Sequence, residues 1–387
     1  MALNINISVG GKFHAFDLAR QINKQGYLNK IFTTYPQQEV KKYGIKKKSI
    51  KTKVELEILS RGWRRMPSIF QSIWNPQYFV CEKFDKWVAR NMKNPNISVM
   101  WSSYGLHTIR KAKSRGIVTV LERGSSHIEY QTEILKREYK NFGVQTRLAH
   151  PKIIEKELKE YEEVDYISVP SSFVKETFLN KGIPESKLIH IPYGVDLSKF
   201  KQISKKDDIF RVIFVGGMSV RKGVHYLIQA FAELDLPNSE LLLIGGMNEE
   251  IKPFFKEYEG RYKYIGKVPQ IELYKYMSNS SVFSMMSLEE GLALVIPQAM
   301  ACGLPVIATI NTGAGDVVRN GKDGFIISVR DIEALKEKLQ FLYENPEIRD
   351  KMSQSAKERV SSGFTWDDYG EKMASEYLRI IKKHERS

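Results

Sequence analysis

The chain has few cysteines and no long apolar run. Its two cysteines, Cys81 and Cys302, cannot build a disulfide framework and lack the spacing of metal ligands, which predicts a reducing compartment. No apolar stretch approaches the roughly 20 residues that a membrane-spanning helix needs. The N-terminal MALNINISVGG lacks a basic start followed by a long apolar core, so we expect no signal peptide. These features predict a cytoplasmic protein.

Acidic residues are scarce in the first half of the chain. Residues 1–200 hold 34 Lys and Arg against 19 Asp and Glu, whereas the other residues hold 26 of each kind. The whole formal net charge of +15 therefore lies in the first half. Such asymmetry indicates an anionic partner, which could be nucleic acid, acidic lipid or a phosphorylated substrate. Because the chain has no recognisable zinc, helix-turn-helix or RNA-binding signature, we expect no nucleic-acid partner.

Apolar strands alternate with amphipathic helices along most of the chain. The strand-like segments are NINISVGG and YLNKIFTTYP, then residues 98–103, 117–122 and 166–171, and in the second half 210–217, 240–246, 281–286 and 305–309. The helical segments between them imply crossover connections and mostly parallel sheets. The first helix, KFHAFDLARQINKQG, is expected to place Phe13, Phe16, Ala19 and Arg20 on one side.

A polar segment at 196–209 separates two runs of this pattern. Because 387 residues are many for one core, we expect two α/β domains, at 1–197 and 205–361. Charged helices are expected over 331–360, and a last helix, about 362–387, is expected to pack back on the first domain. Doubly wound sheets bind ligands beyond the carboxyl ends of their strands, so the cleft between the domains is the predicted site.

The stretch EEGLALVIPQAMACGLPVIAT, Glu289 to Thr309, has the features of a ligand site. A helix is expected to start near Pro297 and to stop before Gly303. Its free N–H groups would face Glu290–Leu294 and form an anion site suited to a phosphate. Glu290 would accept hydrogen bonds from hydroxyl groups, and Gln298 stands in the first helical turn. A nucleotide-linked sugar has both phosphates and hydroxyls.

EGLALVIPQAMACGLPVIAT resembles the E-x7-E signature of the retaining glycosyltransferases of family 4, which have the two-domain GT-B fold. Four further segments resemble the same family: FVGGMSVRKGVHYLIQAF, IPYGVDLSKF, GKVPQIELYKYMSNSSVFSMMSLEEG and NGKDGFIISVRDIEAL. The resemblance covers most of residues 165–345. It implies two Rossmann-like doubly wound domains that face each other across a cleft. It also implies a donor substrate that is a nucleotide-diphosphate sugar, of UDP or GDP type, and no cofactor.

The resemblance assigns donor-binding roles in the second domain. Glu290 would bond hydroxyls of the donor sugar, and Lys222 would neutralise the leaving diphosphate. Gln298 stands where the family normally has a second glutamate on the ribose, and Gly217 where many relatives have an arginine, for which Arg221 is the candidate substitute. Backbone N–H groups would come from Leu292, Ala293 and Leu294. Further donor contacts are expected at Gly11, Ser219, Lys267, Val268 and Val295.

Each assignment has a structural alternative. Glycine pairs occur in many turns, and Lys222 beside Arg221 could be a solvated pair. Glu290 could flank a helix, and polar capping by Gln298 is nearly as plausible as a ribose contact. The ordered set of motifs favours the functional interpretation.

The first domain is expected to bind the acceptor. LERGSSHIEYQ places Glu122, Arg123 and His127 just after the end of a strand, and His14 follows Gly10–Gly11 at the opening of the first helix. These residues are the predicted acceptor contacts, and His127 is predicted to be catalytic together with Glu290 and Lys222. The alternative for His127 is a structural histidine capped by Ser125 or Ser126.

The resemblance implies a transfer that retains the anomeric configuration, with the leaving phosphate helping to deprotonate the acceptor. Fixed donors in a dry cleft stabilise the departing charge. Because the chain has no Asp-x-Asp triplet, we expect no metal requirement. The expected pathway is synthesis of a bacterial-type surface polysaccharide such as a capsule, O-antigen or exopolysaccharide. The alternatives are a non-hydrolysing nucleotide-sugar epimerase or phosphorylase of the same fold and a catalytically weakened sugar-nucleotide binder.

Residues 40–74 interleave Lys and Arg with Trp63, Ile69, Phe70, Ile73 and Trp74. Such segments favour anionic membrane surfaces, so we expect peripheral association with the inner face of the cell membrane. A solvated loop followed by a core helix is the alternative. The same positive charge would suit an anionic acceptor, either a glycan or a lipid-linked one.

Overall fold

Residues 3–67, 75–144 and 148–386 are described by a computed structural model. Their strands form two sheets in which every strand pair is parallel. The first sheet has the order β3-β2-β1-β4-β5-β6-β7, and its strands are β1 (Ile5–Val9), β2 (Leu28–Thr33), β3 (Ile50–Thr52), β4 (Ile97–Trp101), β5 (Val118–Glu122), β6 (Tyr166–Val169) and β7 (Leu188–His190).

The second sheet has the order β10-β9-β8-β11-β12-β13. Its strands are β8 (Phe210–Val215), β9 (Ser239–Ile244), β10 (Lys263–Gly266), β11 (Val282–Met285), β12 (Val306–Thr309) and β13 (Gly324–Ile327). Both sheets are doubly wound, because the strand order reverses beside β1 in the first and beside β8 in the second. The predicted α/β architecture with two such sheets is confirmed.

Helices connect the strands of each sheet. Those described in the first half are α1 (Ala15–Lys24), α2 (Gln37–Lys41), α3 (Val54–Arg64), α4 (Gln77–Asn91), α5 (Leu106–Lys113), α6 (Ile128–Asn141), α7 (Pro151–Glu163) and α8 (Ser172–Leu179). Those in the second half are α9 (Val224–Leu234), α10 (Lys252–Glu257), α11 (Leu273–Ser278), α12 (Val295–Ala301), α13 (Ile332–Glu344), α14 (Pro346–Ser361) and α15 (Trp366–His384).

Central strands are fully buried because helices cover both faces of each sheet. Every residue of β1, β4, β5, β8 and β11 is buried, and these segments are rich in Ile, Val and Phe. The edge strands β3, β7, β10 and β13 are only three or four residues long and partly exposed. The rigid centre of each sheet therefore carries the loops that leave its carboxyl edge.

The last helix, α15, packs against α1 of the first sheet. It begins after a capping box in which Thr365 and Asp368 satisfy each other's backbone N–H groups. Gln21 donates a hydrogen bond to Asp367 at 2.8 Å. The two helices approach so closely that a Cβ added to Gly370 would lie 2.4 Å from the side chain of Gln21. The domain limits 1–197 and 205–361 stay a prediction.

Candidate active site

A cavity of about 750 Å³ opens between the two sheets. Its walls come from loops at the carboxyl ends of β1, β4 and β5 on one side and of β8 and β11 on the other. Each of these loops contributes a polar residue, respectively His14, Ser102, Arg123, Lys222 and Glu290. The strand order reverses between β1 and β4 and between β8 and β11. The cavity therefore lies where doubly wound sheets bind ligands.

Two bases and two acids form a cluster on the second-sheet side of the cavity. Lys222 Nζ forms an ion pair with Glu290, and both residues line the wall. The guanidinium of Arg221 lies 3.4 Å from Glu290 and 3.2 Å from Glu289. The charge of Glu290, followed by that of Glu289, raises the pKa of Arg221 above its usual range. Lys222 lines the cavity and Arg221 does not, so Lys222 is the cation of this cluster that faces the cavity.

Glu289 joins the two halves of the protein. Its fully buried carboxylate accepts hydrogen bonds from the backbone N–H and the hydroxyl of Ser126, each at 2.8 Å, and from Gln131 at 2.9 Å. Burial alone would raise the pKa of Glu289, but Arg221 and these hydrogen bonds hold it below its usual value. No role is predicted for Glu289 from the sequence, although this residue stands directly before Glu290.

Residues 291–294 bring backbone amides to the cavity wall. Gly291 is needed here because an added Cβ would lie 2.1 Å from the carbonyl oxygen of Gly124. Ala293 donates its N–H to the carbonyl of Thr312 at 3.1 Å, so the prediction that this N–H serves the donor is wrong. The N–H groups of Leu292 and Leu294 have no acceptor among the described residues. They are available to a ligand.

The helix α12 begins at Val295, two residues before the predicted start at Pro297. Gly303 follows its end with φ +79°, a conformation that favours glycine. Gln298 lies in the first turn and is 9% exposed. Within the described ranges its side chain has no hydrogen-bond partner. The amide group of Gln298 is therefore uncommitted.

Of the other predicted donor residues, one lines the cavity and the others lie outside its wall. Val295 lines the cavity together with Gly216, the neighbour of Gly217. Ser219 accepts a hydrogen bond from the N–H of Lys222 at 3.3 Å and so shapes the lysine's turn. The predicted donor residues that are not on this wall are Gly11, Gly217, Ser219, Arg221, Lys267, Val268 and Gln298. Their donor contacts stay predictions.

His14 and Glu122 meet on the first-sheet side. The Nε2 atom of His14 lies 3.1 Å from a carboxylate oxygen of Glu122, and both side chains are buried. The ring of His14 lines the cavity, whereas Glu122 lies behind it. Glu122 is therefore in a position to act on a ligand through His14 and not by direct contact.

Arg123 also lines the cavity, but its guanidinium is held by protein groups. It donates to the carbonyl of Ser126 at 2.8 and 3.0 Å and forms a 2.8 Å ion pair with Glu157. It also reaches Ser102 at 3.2 Å and Gln131 at 3.2 Å. Arg123 thus fixes the loop after β5.

The structure does not bring His127 to the cavity, which contradicts its predicted catalytic role. Its ring packs between Tyr161 and Phe178, with centroid distances of 5.0 Å to each. Its Nδ1 accepts the N–H of Glu129 at 3.3 Å and so caps α6. Burial lowers the pKa of His127 to about 4. A neutral capping histidine explains this geometry, with the histidine itself as the cap in place of Ser125 or Ser126.

Aromatic side chains on the first-sheet side were missed as site residues. Phe13, Trp63, Trp101 and Tyr104 all line the cavity. Phe13 was expected on one side of the first helix, but it precedes α1, which begins at Ala15. It is 63% exposed and has φ +40°, which is strained for a bulky residue. The only sequence signal was its position two residues after the glycine turn Gly10–Gly11.

A group of potential metal ligands lies away from the cavity walls. Glu82, Asp85 and His107 place one ligand atom each within 4.8 Å of one another. Lys156 already donates to Glu82 at 2.6 Å and to Asp85 at 2.8 Å, so its ammonium compensates their charge. This group has the character of a buried ion-pair network.

No helix within the described ranges has both the length and the apolar character needed to span a membrane. Of the apolar residues predicted to contact lipid, Ile69, Phe70, Ile73 and Trp74 lie outside the described residues.

Residues 196–359 match the sequence model of the family described as glycosyl transferases group 1. The matched residues, in the second half of the chain, are similar to this family and include Lys222 and Glu290. The predicted resemblance to the glycosyl transferases of group 1 is therefore confirmed. Among curated relatives, the chain is 28% identical over 243 residues to the capsular polysaccharide biosynthesis glycosyltransferase CapM of Staphylococcus aureus, which is 57% of this chain and 63% of CapM. Relatives thus include a protein of polysaccharide biosynthesis.

Solved structures agree on the fold. Sucrose-phosphate synthase from Thermosynechococcus elongatus superposes with a TM-score of 0.71 and 19% identity, over 98% of this chain and all of that one. HepE of Anabaena, solved in complex with UDP, superposes with a TM-score of 0.69 and 16% identity, over 97% of this chain and 100% of its own. The expected GT-B fold is confirmed.

Proposed function

We propose that the protein transfers a sugar from a UDP- or GDP-sugar to a hydroxyl of a glycan or lipid-linked acceptor in surface polysaccharide synthesis. The observation that carries the proposal is the pairing of Lys222 with Glu290 in a cavity at the switch points of two facing sheets. A diphosphate is stabilised by a cation and by backbone N–H groups, and the hydroxyl groups of a sugar donate hydrogen bonds to a carboxylate. The match of residues 196–359 to the glycosyl transferases of group 1 and the UDP bound to HepE support this pairing of roles.

Each of the residues that line the cavity wall around Lys222 and Glu290 has one role in the proposed reaction. Lys222 and the free N–H groups of Leu292 and Leu294 stabilise the negative charge that grows on the departing diphosphate. Glu290 accepts hydrogen bonds from the donor sugar and releases Lys222 to the phosphates. The transfer retains the anomeric configuration and needs no metal. The aromatic wall of Phe13, Trp63 and Tyr104 receives the acceptor.

The direct test is incubation with a panel of UDP- and GDP-sugars and candidate acceptors, followed by detection of glycosylated product. We expect release of UDP or GDP and, from an α-linked donor, formation of an α-linked product. EDTA should leave the rate unchanged. A C2-epimerised nucleotide sugar would identify an epimerase instead, and sugar phosphate formed with inorganic phosphate would identify a phosphorylase. Tight donor binding without turnover would identify a sugar-nucleotide binder.

We further propose that the basic surface of the first half holds the protein at an anionic membrane. Exposed lysines at 46, 47 and 48 lie in this half together with the exposed apolar side chains Ile58, Met66 and Phe79. Charge and apolar exposure on one part of the chain favour an interfacial location. Such a location would bring a lipid-linked acceptor to the enzyme.

A further inference from the structure

Phe13 has a backbone conformation and an exposure that the fold does not explain. Its φ of +40° is a left-handed value, which is strained for a residue that has a Cβ. Its side chain is 63% exposed, so the ring contributes little to the core. Strained residues of this kind concentrate at functional sites. Glycine would suit this backbone better, whereas a ligand that covers the ring accounts for a phenylalanine.

The glycine turn Gly10–Gly11 makes space for two aromatic rings on the first-sheet side of the cavity. A Cβ added to Gly11 would lie 2.9 Å from the ring of Phe13, and one added to Gly10 would lie 2.0 Å from the ring of Tyr104. Both rings belong to the cavity wall, together with Trp63. The turn therefore allows this side of the cavity to present aromatic surface to a ligand.

The charged side chains of the cavity wall are already paired. Arg123 forms a 2.8 Å ion pair with Glu157, and Lys222 pairs with Glu290. No other lysine, arginine or carboxylate among the described residues lines the cavity. The exposed lysines at 46–48 are not part of the wall. The positive charge of the first half is thus not available at the place where the acceptor is proposed to bind.

Uncharged polar groups complete the first-sheet side of the wall. Gln77 is exposed, and its side-chain amide has no hydrogen-bond partner within the described ranges. Ser60 and Ser125 also line the cavity. His14 could carry a positive charge, but its ring already lies 3.1 Å from the carboxylate of Glu122. This side therefore offers aromatic faces and neutral hydrogen-bonding groups.

We propose that the acceptor residue that enters this cavity is an uncharged sugar whose ring stacks on Phe13. The proposal rests on the proposed glycosyl transfer and names the chemical class of its acceptor. One face of a pyranose ring presents C–H groups that pack on an aromatic ring, and its hydroxyls bond to neutral polar groups such as the amide of Gln77. Phe13 then sets the position of the acceptor.

An acidic sugar would bind less well in the same place. Its carboxylate or phosphate would lose bound water without gaining an unpaired cation in return, which is costly. The diphosphate of the donor would also repel a second negative charge across the cavity. The cavity therefore selects neutral acceptors over acidic ones, although the first half of the chain is basic as a whole.

The first test compares matched pairs of soluble acceptors with the active UDP- or GDP-sugar. Each pair is a p-nitrophenyl glucoside or galactoside and the corresponding glucuronide or galacturonide, which differ only at C6. We expect the kcat/KM of the neutral member to be higher by about tenfold or more. An acidic member that is used as well as its neutral partner would overturn this proposal and leave the proposed function standing. Donor binding without transfer to any acceptor would overturn the proposed function and this proposal with it.

The second test changes Phe13 itself. Phe13→Ala removes the ring and should raise the KM of the neutral acceptor by about tenfold, with kcat and donor affinity within about twofold of wild type. Phe13→Trp keeps an aromatic face and should restore the KM. Phe341→Ala is the control, because Phe341 is also exposed but lies away from the cavity wall. It should leave the KM unchanged.

Thermal melts separate this role from a structural one. Because the ring is exposed, Phe13→Ala should melt close to wild type. Phe13→Gly should melt at or above Phe13→Ala, since only alanine keeps a Cβ at φ +40°. An unchanged acceptor KM in Phe13→Ala would overturn the proposal. A large fall in melting temperature shared by the alanine and glycine variants would also overturn it, because the ring would then belong to the fold.

Discussion

Glu289 in the second half accepts two 2.8 Å hydrogen bonds from Ser126 in the first, one from its backbone N–H and one from its hydroxyl. The same carboxylate touches Arg221, which in turn touches Glu290. This contact between the two halves of the protein is therefore one residue away from the proposed sugar-binding acid.

Replacement of Glu289 by glutamine is expected to weaken this junction. The amide would lose the charge that Arg221 faces and would turn an N–H donor toward Ser126 or Gln131, which already donate. A buried hydrogen-bonding group that loses its partner in this way costs about 1–3 kcal/mol. We expect a matching decrease in the free energy of unfolding in urea. Glu155→Gln removes a solvent-exposed partner of Lys159 and should leave the transition midpoint unchanged. Equal midpoints for both variants would contradict the role given to Glu289.

Replacement of Lys222 by methionine is expected to lower kcat by about 10²- to 10³-fold, because one fixed positive charge on the departing diphosphate is lost. Lys252→Ala removes an exposed lysine of the same half that lies away from the cavity, and it should leave kcat unchanged. Steady-state kinetics with the best donor make the comparison. A Lys222 variant with wild-type turnover would remove this lysine from the mechanism.

Replacement of Gln298 by glutamate is expected to tighten nucleotide binding. A carboxylate would make a charge-assisted hydrogen bond to the ribose hydroxyls, roughly twice as strong as a neutral one. We expect UDP or GDP to bind about 3- to 10-fold more tightly, and Gln298→Leu to bind it more weakly, in calorimetric titrations. Affinities that are the same in all three proteins would place the ribose elsewhere.

The stability of the protein should fall in mild acid because His127 is buried in its neutral form. Its pKa is about 4 when folded, against about 6.5 when unfolded. The unfolded chain therefore binds the additional proton between these values, and stability is complete above pH 6.5 and decreases as the pH falls toward 4. From pH 7 to pH 5 this group should remove about 2 kcal/mol.

His127→Asn keeps a side chain that can cap α6 but removes the titrating group. It should therefore reduce the pH dependence of the urea midpoint, whatever its effect on the midpoint at pH 7. An undiminished slope in this variant would show that other groups cause the acid sensitivity.

Association with membranes should depend on charge and salt. We expect the protein to sediment with vesicles that contain phosphatidylserine and to be released from them by salt. It should not sediment with neutral phosphatidylcholine vesicles. A variant with Lys46, Lys47 and Lys48 changed to glutamine should bind less. The control changes three exposed lysines of the second half, Lys252, Lys256 and Lys263, and removes the same charge. Equal recovery with neutral and acidic vesicles would refute the membrane proposal.

Central strands and long terminal helices could be predicted from the sequence, whereas edge strands could not. The strands β4, β5, β8 and β11 are mostly apolar because helices bury both faces, and α13 and α15 show a clear amphipathic period. The four edge strands β3, β7, β10 and β13 were missed. Each has three or four residues and is partly exposed, so it lacks the fully buried apolar pattern of the central strands.

Site residues could be predicted where they belong to motifs of the family. They could be predicted less well where packing between distant segments without a motif determines which side chains reach the cavity. Lys222 and Glu290 lie together in the cavity wall, in line with the family motif that named them. His127 and Glu122 were near each other in sequence, but the packing of Tyr161 and Phe178 turns His127 away from the cavity. The pairing of Glu122 with His14 joins residues 108 positions apart, and no local pattern encodes it.

The most direct test of the central claim is a crystal structure of the protein with a bound, non-hydrolysable UDP- or GDP-sugar. The account predicts phosphate oxygens within hydrogen-bond distance of Lys222 Nζ and of the N–H groups of Leu292 or Leu294, with Glu290 on the sugar hydroxyls. Phosphates bound away from both Lys222 and these amides would contradict it.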